Sequence, residues 1–143
     1  MNSEQINLVQ ASFQDVRPMA AAVVPLFMRQ LLELEPSLRP MFGNDPAQRG
    51  EVWMAMLAST VNRLTDAESL VPVFRDIGAR QARRGVVDTH YAAAGEALLR
   101  TLEQSLGEKL TPAAAHAWAV AYAQLSEVMK QGAAQSRQPL ASA

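Results

Sequence analysis

Apolar positions recur along the chain every three or four residues, the spacing that puts them on one face of a helix. Ile6, Val9, Phe13 and Val16 make the first such stripe, with Ser3 placed to cap it. Pro18 stands as the first-turn proline of a second helix reaching about Glu33, and Pro25 inside that helix should bend it. The run Pro36-Ser-Leu-Arg-Pro-Met-Phe42 reads as a short helical turn, closed by the break Gly43-Asn44. Asp45, Pro46 and Gln48 form the start of a helix to about Leu64. Thr65-Asp66-Ala67-Glu68 reads as a capping box opening a segment that Pro72 divides and Gly85 ends. Asp88 is placed to cap a helix carrying Tyr91, Gly95, Leu98, Leu102 and Leu106, with Gly107 as its stop. Thr111-Pro112 opens a last helix with Trp118, Tyr122, Leu125 and Met129 on one stripe and Gly132 as its end. No stretch alternates with period two long enough to build a sheet.

Length and composition narrow the chemistry. A chain of 143 residues is one domain's worth, able to bury roughly 70% of its unfolded surface without staples. Zero cysteines exclude disulfides, thiolate nucleophiles, cysteine zinc sites and iron–sulfur clusters. Two histidines, His90 and His116, are too few for a multi-histidine metal site. A formal charge of −1 offers no general attraction to nucleic acid or anionic lipid. No apolar run approaches the ~20 residues of a membrane span, and the start lacks a secretory pattern, so the expected compartment is the cytoplasm. Phosphate-binding loops, nucleophile elbows and zinc-protease motifs are all missing. The one basic cluster, Arg80, Arg83 and Arg84, reads as cations complementing a helix C-terminus.

Particular residues suggest a family. The run Pro36–Phe42 resembles the end of helix C in bacterial single-domain haemoglobins and in the globin domain of flavohaemoglobins. Gly85-Val-Val-Asp-Thr-His-Tyr91, Gly95, Leu98-Leu99, Leu106-Gly107, Ala117-Trp118 and Ala121-Tyr122 resemble their helices G and H. The likeness can be followed over residues 5 to 131. It implies an all-α globin fold of seven to eight helices in a three-over-three arrangement. The expected globin domain is 1–132, with 133–143 as a flexible C-terminal tail.

The same resemblance assigns a haem pocket, position by position. The phenylalanine that wedges the haem is present as Phe42. The helix B tyrosine that bonds oxygen is replaced by Met28. The distal gate falls on Arg49, and the small aliphatic residue facing the iron falls on Trp53. The proximal histidine is replaced by Gln81, within Gly78-Ala-Arg-Gln81. Its supporting tyrosine and glutamate correspond to Tyr91 and Ala133, so only the tyrosine is kept.

A neutral imidazole offers iron an sp² lone pair, and its second N–H can be tied down to tune it. A carboxamide nitrogen has no such lone pair, and its oxygen is a weak ligand. An empty apolar slot of roughly 300 Å³ would cost about 7 kcal/mol, so a haem-free pocket must be filled or collapsed. Trp53 and Met28 are large enough to help fill it. Of the possible replacement ligands, His90 is expected to be structural and His116 exposed, while Met28 or Met54 alone is a poor anchor.

The expectation is a globin-like protein with an altered haem pocket, haem-free or weakly haem-binding. It would be a non-enzymatic ligand-binding, sensing or interaction module with a small apolar ligand or a protein partner. No cofactor is expected, nor nucleic acid, nor a membrane. The alternative is a haem globin for oxygen or nitric oxide that uses a non-standard axial ligand, with haem as its cofactor. Nitric oxide dioxygenation is the least favoured, since it needs an electron supply that 143 residues leave no reductase domain to provide.

Overall fold

A computed structural model describes the backbone of residues 1–42 and 46–137, and the side chains of 1–40, 51–52 and 54–136. Among the described residues six α-helices follow one another: α1 (Ser3–Val16), α2 (Ala20–Leu34), α3 (Pro46–Asn62), α4 (Leu70–Arg83), α5 (Asp88–Leu106) and α6 (Pro112–Arg137). Short 3₁₀ turns stand between them at Arg17–Met19, Pro36–Phe42, Leu64–Ser69 and Gly107–Lys109. With Pro36–Phe42 counted as the short third helix, the expected set of seven is present, and there is no strand among the described residues. The layers α1, α3, α4 and α2, α5, α6 face each other: α1 and α4 pack on α6, and α3 packs on α2.

The periodic stripes point where the pattern places them. Val9, Phe13 and Val16 of α1 are buried against α6, where the Phe13 and Trp118 rings lie 6.5 Å apart. The Trp118 indole donates to Ser12 Oγ at 2.8 Å, and that hydroxyl donates in turn to the Leu8 carbonyl at 2.7 Å. A buried polar pair is thereby satisfied without water.

Several caps differ from expectation. The N-cap of α1 is Asn2, one residue before Ser3: Asn2 Oδ1 accepts from Gln5 N–H at 2.8 Å and Gln5 Oε1 accepts from Asn2 N–H at 3.1 Å. Pro18 falls in the 3₁₀ turn rather than at the first position of α2. Thr65–Glu68 forms no capping box, because Leu64–Ser69 winds as a 3₁₀ turn broken at Asp66 (φ −124°, ψ 62°). Pro72 lies in the first turn of α4 and divides nothing. Asp88 is the first residue of α5 instead of its cap; Val87 holds the cap position, and its N–H donates to His90 Nδ1 at 3.0 Å. Gly107 ends α5 as expected, with φ 55°. The expected cap at Asp45 and the tail beyond Arg137 lie outside the described residues.

The largest difference is at Gly132. It does not end α6, which runs on to Arg137. It serves instead to bring two backbones together. A Cβ on Gly132 would overlap the Arg75 carbonyl of α4, and a Cβ on Gly78 of α4 would overlap the Met129 carbonyl of α6. The contact is reciprocal: each glycine sits three residues after the carbonyl that its partner glycine meets. Contacts of this kind let Cα–H groups approach carbonyl oxygens directly. α4, the helix carrying Gln81, is thus seated on α6 more deeply than any side-chain-mediated crossing permits.

Candidate functional site

The end of α4 and the start of α5 bring the proximal candidates together. Gly85, with φ 98°, turns the chain after α4 so that α5 starts beside it. Gln81 is half-buried near the last turn of α4, and Tyr91 is buried in the first turn of α5. The Tyr91 hydroxyl donates to Gln81 Oε1 at 2.8 Å. The only amide atom that could offer iron a lone pair therefore already accepts a hydrogen bond from a phenol on one of its two lone pairs.

Beside this pair an open cavity of about 240 Å³ is lined by Tyr91, Gly95 and Leu99 of α5 and by Tyr122 and Ser126 of α6. Tyr122 of α6 donates its hydroxyl to the Tyr91 carbonyl at 2.6 Å, and its ring lies where a Cβ on Gly95 would come within 2.6 Å. Burial, and then the neighbouring Tyr91, push the Tyr122 phenol well above its ordinary pKa, so it remains a donor. Ala133, where the resemblance places a supporting glutamate, is fully buried on α6. A carboxylate there would have to be desolvated, whereas a methyl group adds to the packing.

His90 is also held by the protein. Its Nδ1 accepts the Val87 N–H at 3.0 Å, which places the ring proton of the neutral form on Nε2. That nitrogen lies 3.1 Å from Ser37 Oγ, and the Ser37 hydroxyl donates to Glu35 Oε1 at 2.7 Å. The ring ties the 3₁₀ turn Pro36–Phe42 to α5, with both nitrogens engaged and 8% of the residue exposed. His116 is exposed on α6.

Met28 is buried on α2, at 7% exposure. Met54 is half-buried and lines a cavity shared with Phe13 and Val24 on a different face of α3. Phe42, Arg49 and Trp53 belong to the Pro36–Phe42 turn and to α3, but their side chains lie outside the described residues. Among the described residues, no three His, Asp or Glu side chains gather as a metal site, and no helix is long and apolar enough to cross a membrane.

Sequence reasoning missed three features here. Gln30 is buried on α2, and its Nε2 has no partner among the described residues; a lone glutamine on an apolar stripe was the available signal. Ser37 as the partner of His90 had no signal, since the two are far apart in sequence. The Gly78–Gly132 crossing left one trace, a glycine inside each of two helical patterns.

Haem is the group the resemblance implies, and the described residues do not fit it. Gln81 is a poor ligand whose oxygen is engaged, His90 has both nitrogens committed, and Met54 lines a cavity elsewhere.

Comparison with known proteins gives the lineage. A profile described as Globin matches residues 26–129. The flavohemoprotein of Bordetella parapertussis is 30% identical over 125 residues, covering 85% of this chain and 31% of that protein. The chain therefore spans about a third of the length of that relative. Leghemoglobin-1 of Lupinus luteus is 24% identical over 141 residues, covering 89% of this chain and 92% of that protein. The closed form of the HGbRL globin domain is 29% identical with a TM-score of 0.47, over 96% of this chain and 100% of that one.

Proposed function

The chain belongs to the globin family, and on that premise we propose that it is a globin that does not hold stoichiometric haem and works as a ligand-binding, sensing or interaction module. One observation carries this reading: Gln81, where the resemblance expects the proximal histidine, offers only a weakly ligating carboxamide, whose oxygen already accepts a hydrogen bond from the Tyr91 hydroxyl at 2.8 Å. Ala133 supports it, since a fully buried methyl group stands where the resemblance expects the proximal carboxylate. On this reading the protein is not an enzyme, acts in the cytoplasm, and recognises a small apolar ligand or a protein partner.

The absorption spectrum of protein expressed with added haem tests the reading. No sharp Soret band should survive gel filtration, and Gln81→His should raise haem affinity by restoring an imidazole. One haem per wild-type chain, resistant to gel filtration, would overturn it. The second reading, a haem globin with a non-standard axial ligand, has support in the relatives, two of which are named as a flavohemoprotein and a leghemoglobin.

A further inference from the structure

A cavity of about 510 Å³ lies between the end of α1, the first half of α2 and α3. Its size falls within the ~300–1,000 Å³ of small-molecule sites. On α3 it is lined by Glu51, Met54, Ala55 and Ala58, which recur at helical spacing on one face. At about 100° per residue, position 51 stands roughly 200° from position 49, and position 55 roughly 200° from position 53. The cavity is therefore on the back of α3, away from the register positions assigned to haem.

Alanines make the space. Ala20 and Ala21 of α2 and Ala55 and Ala58 of α3 line it together with the apolar side chains of Phe13, Val24 and Met54. Two features of the walls are polar. Pro25 has no N–H, so the Ala21 carbonyl one turn earlier has no i→i+4 donor, and both residues line the cavity. Arg17 and Glu51, from different elements, both border the cavity and are exposed. Neither side chain makes an ion pair or hydrogen bond among the described residues.

We propose that this cavity is a binding site for short apolar peptides with free termini. The peptide carboxylate pairs with the Arg17 guanidinium, and its ammonium group with the Glu51 carboxylate. The apolar side chains cover Phe13, Val24 and Met54. A neutral apolar molecule would leave both charges unused, and a simple fatty acid would leave Glu51 unmatched. The site is independent of the haem question, because it lies behind α3.

The test is titration of leucyl-leucine into the ¹⁵N-labelled full chain, followed by amide chemical shifts. Saturable shifts should be confined to the neighbourhood of Arg17, Ala21, Val24, Met54 and Ala55. N-acetyl-leucyl-leucine amide should bind about tenfold more weakly, the combined effect of two exposed ion pairs. Arg17→Gln and Glu51→Gln should each weaken binding about threefold. Ala55→Trp should fill the cavity and abolish binding with helicity unchanged. Equal binding of the capped peptide, undiminished binding to folded Ala55→Trp, or no saturable shift up to the solubility of the peptide would each overturn the proposal.

Discussion

Gln81 and Tyr91 are the residues on which the functional reading turns, and they can be separated by substitution. Tyr91→Phe removes one part-buried hydrogen bond and should cost about 1 kcal/mol in denaturant unfolding. It should not confer haem binding, because the freed carboxamide oxygen is still a weak ligand; Gln81→His should. A haem-binding Tyr91→Phe protein would mean that the phenol, and not the ligand chemistry, is what excludes haem. Tyr122 adds a pH dependence with a definite sign. Its pKa is raised in the folded protein, so the unfolded chain loses that proton first as pH rises. Stability should be insensitive to this group below about pH 10, the unfolded tyrosine value, and fall above it. Tyr122→Phe should lose that alkaline decline, as measured by denaturation midpoints across the range; an unchanged decline would assign it to other groups. The resemblance placed Gln81 and Tyr91 in one network, and the structure joins them, although the bond itself depends on the turn at Gly85. Ser37's bond to His90 had no sequence signal, because contact between distant segments is set by packing alone.

The crossing of α4 and α6 is the element-scale feature with the sharpest consequence. Gly→Ala within an exposed helix normally gains roughly 1 kcal/mol from propensity. At Gly132 the sign should reverse, because the added Cβ would overlap the Arg75 carbonyl, and backbone cannot move aside as a side chain can. Gly132→Val should cost about 3 kcal/mol, and Gly132→Ala somewhat less, in reversible denaturation. A neutral or stabilising Gly132→Ala would show that the two helices lie farther apart. This crossing also explains where reading the sequence alone went astray. Helical periodicity located the stripes of α1, α5 and α6, since burial on one face leaves its mark on every turn. Gly132 looked like a terminator because glycine both ends helices and permits close approach, and only the partner helix decides between these uses. Caps were shifted by one residue at Asn2 and Val87 for a related reason: neighbouring residues can supply equivalent groups, and the cap is fixed by where the backbone first extends.

For the whole molecule, the central claim is that the fold is complete without its family's cofactor. In a haem-dependent globin the cofactor stabilises the folded state by mass action, since only that state offers the full pocket. Here the described core is continuous from Phe13 and Trp118 through Leu98 and Leu102 to Phe74 and Met129, and α4 is fixed to α6 by direct backbone contact. The most direct measurement is therefore denaturant unfolding of the cofactor-free full chain, with and without an equimolar addition of haem. One cooperative transition is expected, with dispersed side-chain signals before it and a midpoint that haem leaves in place. A molten, dye-binding apo form that becomes cooperative only when haem is added would contradict it.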